Sequence, residues 1–353
     1  LNSKKYRYLC IDEKTIYFTI FAKSSTMKRI LSLLIVVASL IAVGCTTRST
    51  APDKTTAGKS YDMFILASDE LWQGDLRFAV CDALEADAPG LTRPEGYFNI
   101  VDWRNPDNAT AVDLKYGNIL KLAVEPTSVE PIFSVSQNVY ARPQTIVTAK
   151  ASSAEALTTF IRDNAATLRE IFEQAERTRS NAYYRAGAAE LLIEDFKNHT
   201  GYEMLIPANF YKANTLDKSL LWYIRDYKNK AQYIFAFKYP YTDVSDFTPE
   251  WLMRTLDNKL STISSKGAVG SYMGVNESGP AIVTEQSIAG KKWYELRGWW
   301  EVNNDFMGGP FVSYSTLDEA TNEITTIMFA LYAPEEGQRN PLRELEHLIY
   351  TIK

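Results

Sequence analysis

Two histidines and three cysteines in 353 residues leave little material for metal or thiol chemistry. His199 and His347 have no ligand spacing to each other or to a cysteine, so a zinc site is excluded at the level of pattern. Cys10, Cys45 and Cys81 stand far apart, and Cys81, in the helical pattern "LRFAVCDALEA", reads as a packed thiol rather than a nucleophile. No P-loop, dinucleotide fingerprint or nucleophile elbow is present, and no cofactor is called for. Nor is there an apolar run of the roughly 20 residues that cross a bilayer as a helix.

A shorter run is present. In "MKRILSLLIVVASLIAVGCTTRST", Met27 is followed by Lys28 and Arg29, then by an uncharged stretch from Ile30 to Val43 that ends in small residues before Cys45. A basic start, a short apolar core and a small-residue cut site make a secretory signal over residues 27–44. The cysteine at the cut makes the segment resemble a bacterial lipoprotein signal. That resemblance implies that Cys45 becomes the acylated first residue of the mature protein and anchors it to a membrane. Residues 1–26 are then expected to be an upstream extension with Met27 as initiator, and residues 45–60 a small, polar, flexible tether. Thr46 and Thr47 start that tether without an acidic run; among related lipoproteins acidic tethers imply surface export, so the domain is expected to face the periplasm from the outer membrane. Beyond the signal, 31 basic residues face 41 acidic ones, a net charge of −10. This disfavours nucleic acid and anionic headgroups as partners.

The soluble part divides by pattern into an N-terminal domain (61–180) and a C-terminal domain (181–353). Strands are expected at "YDMFILAS", "GYFNIVDW", "GNILKLAVEP", "SVSQNVYA" and "QTIVTAKAS", and a helix at Leu71–Leu84. Ser152 and Glu155 have capping-box spacing for a following helix. After the helix stop at Gly201 come strands at "YEMLIPANF", "SLLWYIRD" and "AQYIFAFKYP", a helix opened by Thr248-Pro249, and four further strands before a terminal helix with Leu342, Leu345 and Ile349 as its apolar stripe. His347 falls off that stripe and is expected to face water. The fold class is α+β, two halves each of antiparallel sheet and helices. The strand around Ile324–Leu331 is apolar on both faces, so the C-terminal half is expected to be an α/β/α sandwich, similar in layout to the Mog1/PsbP type of fold.

The candidate site comes from "KKWYELRGWWEVNNDFMGGPFVS" (291–313). Strand alternation puts Tyr294, Leu296, Gly298, Trp300 and Val302 on a core face. Trp293, Glu295, Arg297, Trp299 and Glu301 lie on the other, with Asp305 in the following turn. Tryptophans among charges suggest a contact surface, and Gly308-Gly309 a turn with positive φ. The pair Glu295/Glu301 beside tryptophans is the one hint of glycan chemistry, but alternating charges on a strand also arise from plain cross-strand pairing. The balance leans away from an enzyme.

Several motifs together resemble bacteroidete lipoproteins gathered as domain-of-unknown-function family 4837: "YPYTD" (239–243), "GSYM" (270–273), "RGWWEV", "DFMGGPFVS" (305–313) and "YAP" (332–334) with "LRELEHLIYT". Resemblance to that family implies location and fold and transfers no catalytic residue. Two functions are expected to compete. The first is a non-enzymatic binding or assembly factor whose partner is another envelope protein. The second is a glycan or small-ligand binder, with or without hydrolysis, using the tryptophan and carboxylate face. Cys45→Ser should abolish lipid labelling and release the protein from membranes; a processed mutant that stays membrane-bound would contradict the anchor.

Overall fold

The computed structural model describes residues 55–353 apart from 129 and 266–268, and upstream of these the antiparallel strand pair Lys5–Cys10 and Ile16–Phe21. The signal segment, Cys45 and the start of the tether lie outside the described residues. The chain divides into two compact units. One takes residues 1–85 and 98–173, the other 86–97 and 174–353.

In the first unit the strands are β1 (Asp62–Leu66), β2 (Asn99–Arg104), β3 (Asn118–Val124), β4 (Ile132–Gln137) and β5 (Thr145–Ala151), in the order β2-β1-β3-β5-β4. The α+β class holds, but this sheet is not the antiparallel one expected. β1 runs parallel to β2 and β3, and β3 parallel to β5; only β4 and β5 pair antiparallel. Parallel neighbours need crossovers of a dozen or more residues. The stretch after β1, with helix α1 (Gly74–Leu84), supplies one. Four of the five β1 residues are buried, as a central strand covered on both faces requires. Helix α2 (Ala154–Asp163) starts one residue later than the expected cap: Ser153, not Ser152, accepts the Ala156 amide at 3.1 Å. Cys81 is half-buried, and burial pushes its thiol up, away from nucleophilic form. Helix α3 (Ala165–Arg185) contains the boundary between the units.

The second unit begins with helix α4 (Glu190–Thr200), closed by Gly201 at φ 84°. Its strands are β6 (Tyr211–Lys212), β7 (Leu221–Tyr227), β8 (Lys230–Pro240), β9 (Tyr272–Asn276), β10 (Ile282–Ile288), β11 (Lys291–Asn303), β12 (Gly308–Asp318) and β13 (Glu323–Tyr332). All pairs are antiparallel, in the order β9-β11-β12-β13-β8-β7-β6. β10 takes the first half of the β11 edge and β9 the second. β13 is central and buried along nearly its whole length, as its two apolar faces predict. Helix α5 (Pro249–Leu260) buries Leu252, Leu256 and Leu260 on one face of the sheet. Helix α6 (Arg339–Glu346) and α4 bury Leu342, Leu345 and Phe196 on the other. This is the expected sandwich.

Three local expectations fail for identifiable reasons. Residues 202–210 do not join the sheet, because their polar backbone bonds the chain end instead. Glu203 and Lys353 exchange N–H···O bonds of 3.3 and 3.0 Å, and the Leu205 amide donates to Thr351 Oγ1 at 3.0 Å. His347 is buried rather than solvent-facing. Leu345 to Ile349 are buried without a break, so the segment that passes into the 3₁₀ turn His347–Thr351 is covered on every side and its stripe has no open flank. The turn before β12 takes its positive φ at Asn304 (62°), not at Gly308 or Gly309. Gly309 is needed for close approach: a Cβ there would lie 2.0 Å from the Leu331 carbonyl oxygen, beneath the Trp300 indole that donates to that same oxygen at 3.1 Å.

Trp300→Ala should therefore lower unfolding free energy by about 3–5 kcal/mol. Gly309→Ala should destabilise more than Gly308→Ala, whose added methyl meets the Trp300 carbonyl at 2.9 Å. Urea denaturation of the three variants checks both, and equal effects at the two glycines would refute the close-packing account.

Candidate functional site

The alternation along β11 separates the faces as expected. What the sequence did not show is that both are interior. Trp293 is 0 % exposed, Glu295 6 % and Arg297 5 %, so the tryptophan and carboxylate face is not a surface. It lies under α6, whose Leu342 and Leu345 pack in the same cluster as Trp293. Trp293 packs against Tyr202 with ring centroids 5.4 Å apart.

Arg297 is the centre of this buried face. Its Nε donates to Glu295 at 2.7 Å, and its two terminal nitrogens donate to the two oxygens of Glu346. Glu346 also takes Arg343 at 3.1 Å, and Arg343 lies 5.8 Å from the Tyr97 ring. Tyr314, directly opposite Glu295 in the β11–β12 register, places its hydroxyl 3.2 Å from Glu295 and 3.0 Å from Glu346. Gln286 donates to the same Glu295 oxygen as Tyr314, at 3.2 Å. Burial works against the Arg297 charge, but Glu346 and Glu295 more than offset it and hold the guanidinium protonated. Burial, and then the two carboxylates, push the Tyr314 hydroxyl far above its usual range. Two arginines and two glutamates thus close a neutral network whose carboxylate oxygens are all engaged. Such a group can orient a helix on a sheet. It offers no free base or acid to a substrate.

The other expected members lie elsewhere. Trp299 is half-buried: its indole donates to the Gly90 carbonyl at 3.1 Å and lies against Gly279. Glu301 accepts from Asn276 at 2.6 Å, so it does not pair with Glu295. Asp305 caps its own turn through the Phe306 amide and touches Ser265 at 3.4 Å. The carboxylate that shares Arg297 and Tyr314 with Glu295 is that of Glu346. Its one sequence signal was its place four residues after Leu342, on the buried side of α6.

A hairpin from residues 86–97, bridged at Asp87 and Gly96, completes this unit. The Glu95 carboxylate accepts the Gln338 and Arg339 amides at 2.5 and 3.1 Å, satisfying the open donors at the start of α6. Arg93 donates to the carbonyls of Ala333, Pro334 and Glu336, and Thr92 bonds Gln338 through both its amide and its hydroxyl.

One nucleophile-like cluster went unseen in the sequence. Lys259 Nζ lies 2.7 Å from Ser219 Oγ and 3.0 Å from Asp217, and His199 meets the Ser219 carbonyl at 3.0 Å. The Ser219 hydroxyl donates to Asp217 at 2.6 Å, and this bond, with Lys259, holds the Asp217 carboxyl below its usual range. An ammonium paired to a carboxylate has no lone pair for the serine proton, so the cluster is a clasp between the loop and α5. Among the described residues no group of three potential metal ligands occurs.

The chain carries two domains of unknown function: residues 190–351 match the family DUF4837, and residues 56–185 match DUF8532. Among solved structures it is similar to the Saccharomyces cerevisiae Ran-binding protein Mog1p (10 % identity, 43 % of this chain and 89 % of that one, TM-score 0.28) and to a point mutant of Mog1 (10 %, 43 % and 89 %, 0.29). No curated protein matches the chain.

Two outcomes follow. Removing one member of a buried ion pair strands its partners, so Arg297→Met should cost about 3–5 kcal/mol. A loss under 1 kcal/mol in chemical denaturation would mean that the carboxylates are not held by Arg297. For Asp217, whose pKa is lowered on folding, the stabilisation is present above the unfolded value near 4 and lost as pH falls through the folded value. The stability gap between wild type and Asp217→Asn should be constant above pH 5 and shrink by pH 2; a gap that widens on acidification would reverse the assignment.

Proposed function

We propose that this chain is a cell-envelope lipoprotein of the bacteroidete type, held to the outer membrane through acylated Cys45 with its domains in the periplasm. It acts there as a non-enzymatic binding or assembly factor. The membrane part rests on the basic, apolar and small-residue pattern that precedes Cys45. The non-enzymatic part rests on one observation: the carboxylates of Glu295 and Glu346 converge on Arg297 and Tyr314 inside the sandwich. The competing glycan-binding reading needs Trp293 and Trp299 on one open face; Trp293 is buried, and the half-buried Trp299 has its indole bonded to the Gly90 carbonyl.

Membrane fractionation with cross-linking and pull-down of the full chain tests the binding role, and protease treatment of intact cells tests the leaflet. Protection in intact cells with cleavage after outer-membrane permeabilisation is expected. Rapid cleavage of intact cells would place the domains on the cell surface instead.

A further inference from the structure

A strand at the edge of a sheet presents a row of unpaired amides and carbonyls, and most edges in this chain are protected against pairing. β6 is only two residues long and carries Lys212. The outward amides of β9 are taken: Met273 donates to the Ile263 carbonyl and Val275 to the Asp257 carboxylate, both at 2.9 Å. β10 carries Glu285, paired to Lys292, and β2 carries Asp102, paired to Arg104. β4 is different. Its six residues, Ile132–Gln137, include no charge and no proline.

The direction of the hydrogen bonds along β4 follows from its turn. Asn138 donates to the Gln144 carbonyl at 2.9 Å, whereas Thr145 on β5 turns the other way, to the Gly117 carbonyl at 2.8 Å. The register alternates from that point, so Phe133, Val135 and Gln137 aim their amides and carbonyls away from β5, at the open edge. Among the described residues these main-chain groups have no hydrogen-bond partner. The side chains add an apolar border. Phe133 and Val135 are buried on the side of α2, where the half-buried Phe160 meets the Phe133 ring at 4.5 Å. Ser134 and Ser136 point to the other face. An added strand therefore gains main-chain hydrogen bonds and sets alternate side chains beside Phe133 and Val135.

The kind of segment that fits is also visible. The upstream strand Ile16–Phe21, with the uncharged sequence IYFTIF, lies against β4 without joining its ladder. It precedes the cut proposed at Cys45, so processing removes it. It marks the chemistry of an occupant, and the processed chain leaves the place to another. We propose that the β4 edge takes up an extended, uncharged, apolar segment of a protein partner by strand addition. This inference rests on the binding-factor reading above and names the form of the partner's contact.

The probe is a synthetic peptide of residues 14–23, KTIYFTIFAK, whose terminal lysines keep it soluble. It is added to the full chain carrying Phe18→Pro, which breaks the chain's own upstream strand. Amide exchange at Phe133, Val135 and Gln137 should slow saturably, by about tenfold or more. Two N-methylated peptides, blocked at alternate residues, separate strand pairing from apolar adhesion, because only one set of amides faces β4. One should fail and the other protect. No slowing, or equal protection by both, would overturn the edge site. In isolated membranes, a photo-cross-linking amino acid at exposed Val139, just beyond β4, should give a protein adduct that the peptide displaces. An adduct that the peptide leaves unchanged would overturn the edge site and leave the binding role standing. No adduct, with the exchange result positive, would overturn the protein-partner role itself.

Discussion

The C-terminal unit is organised by a guanidinium that has no water. Arg297 sits in the middle of the longest strand and must find its counter-charges inside the fold. Glu295 comes from the same strand and Glu346 from the last turn of α6, so satisfying Arg297 forces that helix to one position on the sheet. A buried ion pair of this kind contributes little net stability over an apolar replacement, but leaving any member alone is costly. Its effect is on alternatives: a helix shifted by one residue would carry Glu346 away from both Arg297 and Tyr314. Tyr314 reinforces the choice, because its hydroxyl has both carboxylates within reach only in this arrangement.

The start of α6 is held with similar economy. A helix beginning leaves amide donors without partners, and here Glu95 supplies both acceptors from a hairpin nearly 250 positions earlier in the chain. Because Arg93 and Thr92 of that hairpin bind the approach to the same helix, residues 86–97 are a working part of the second unit. The carbonyl of Gly90 in turn satisfies the Trp299 indole. The sheet face that reads as a tryptophan-rich surface is thereby closed by groups from three separate parts of the chain.

Local physics was largely legible in the sequence. The apolar faces of β13 marked it as central, Thr248-Pro249 opened α5 and Gly201 stopped α4, because each depends on neighbours within a few residues. The alternation of β11 was likewise correct residue by residue. Periodicity reports which side chains share a face; it carries no information on what covers that face, and so Trp293, Glu295 and Arg297 read as a surface although α6 lies over them. The parallel order of the first sheet, the burial of His347 and the convergence of Glu295 and Glu346 on Arg297 share one cause. Each is set by contacts between residues tens to hundreds of positions apart, and only the tertiary structure decides them.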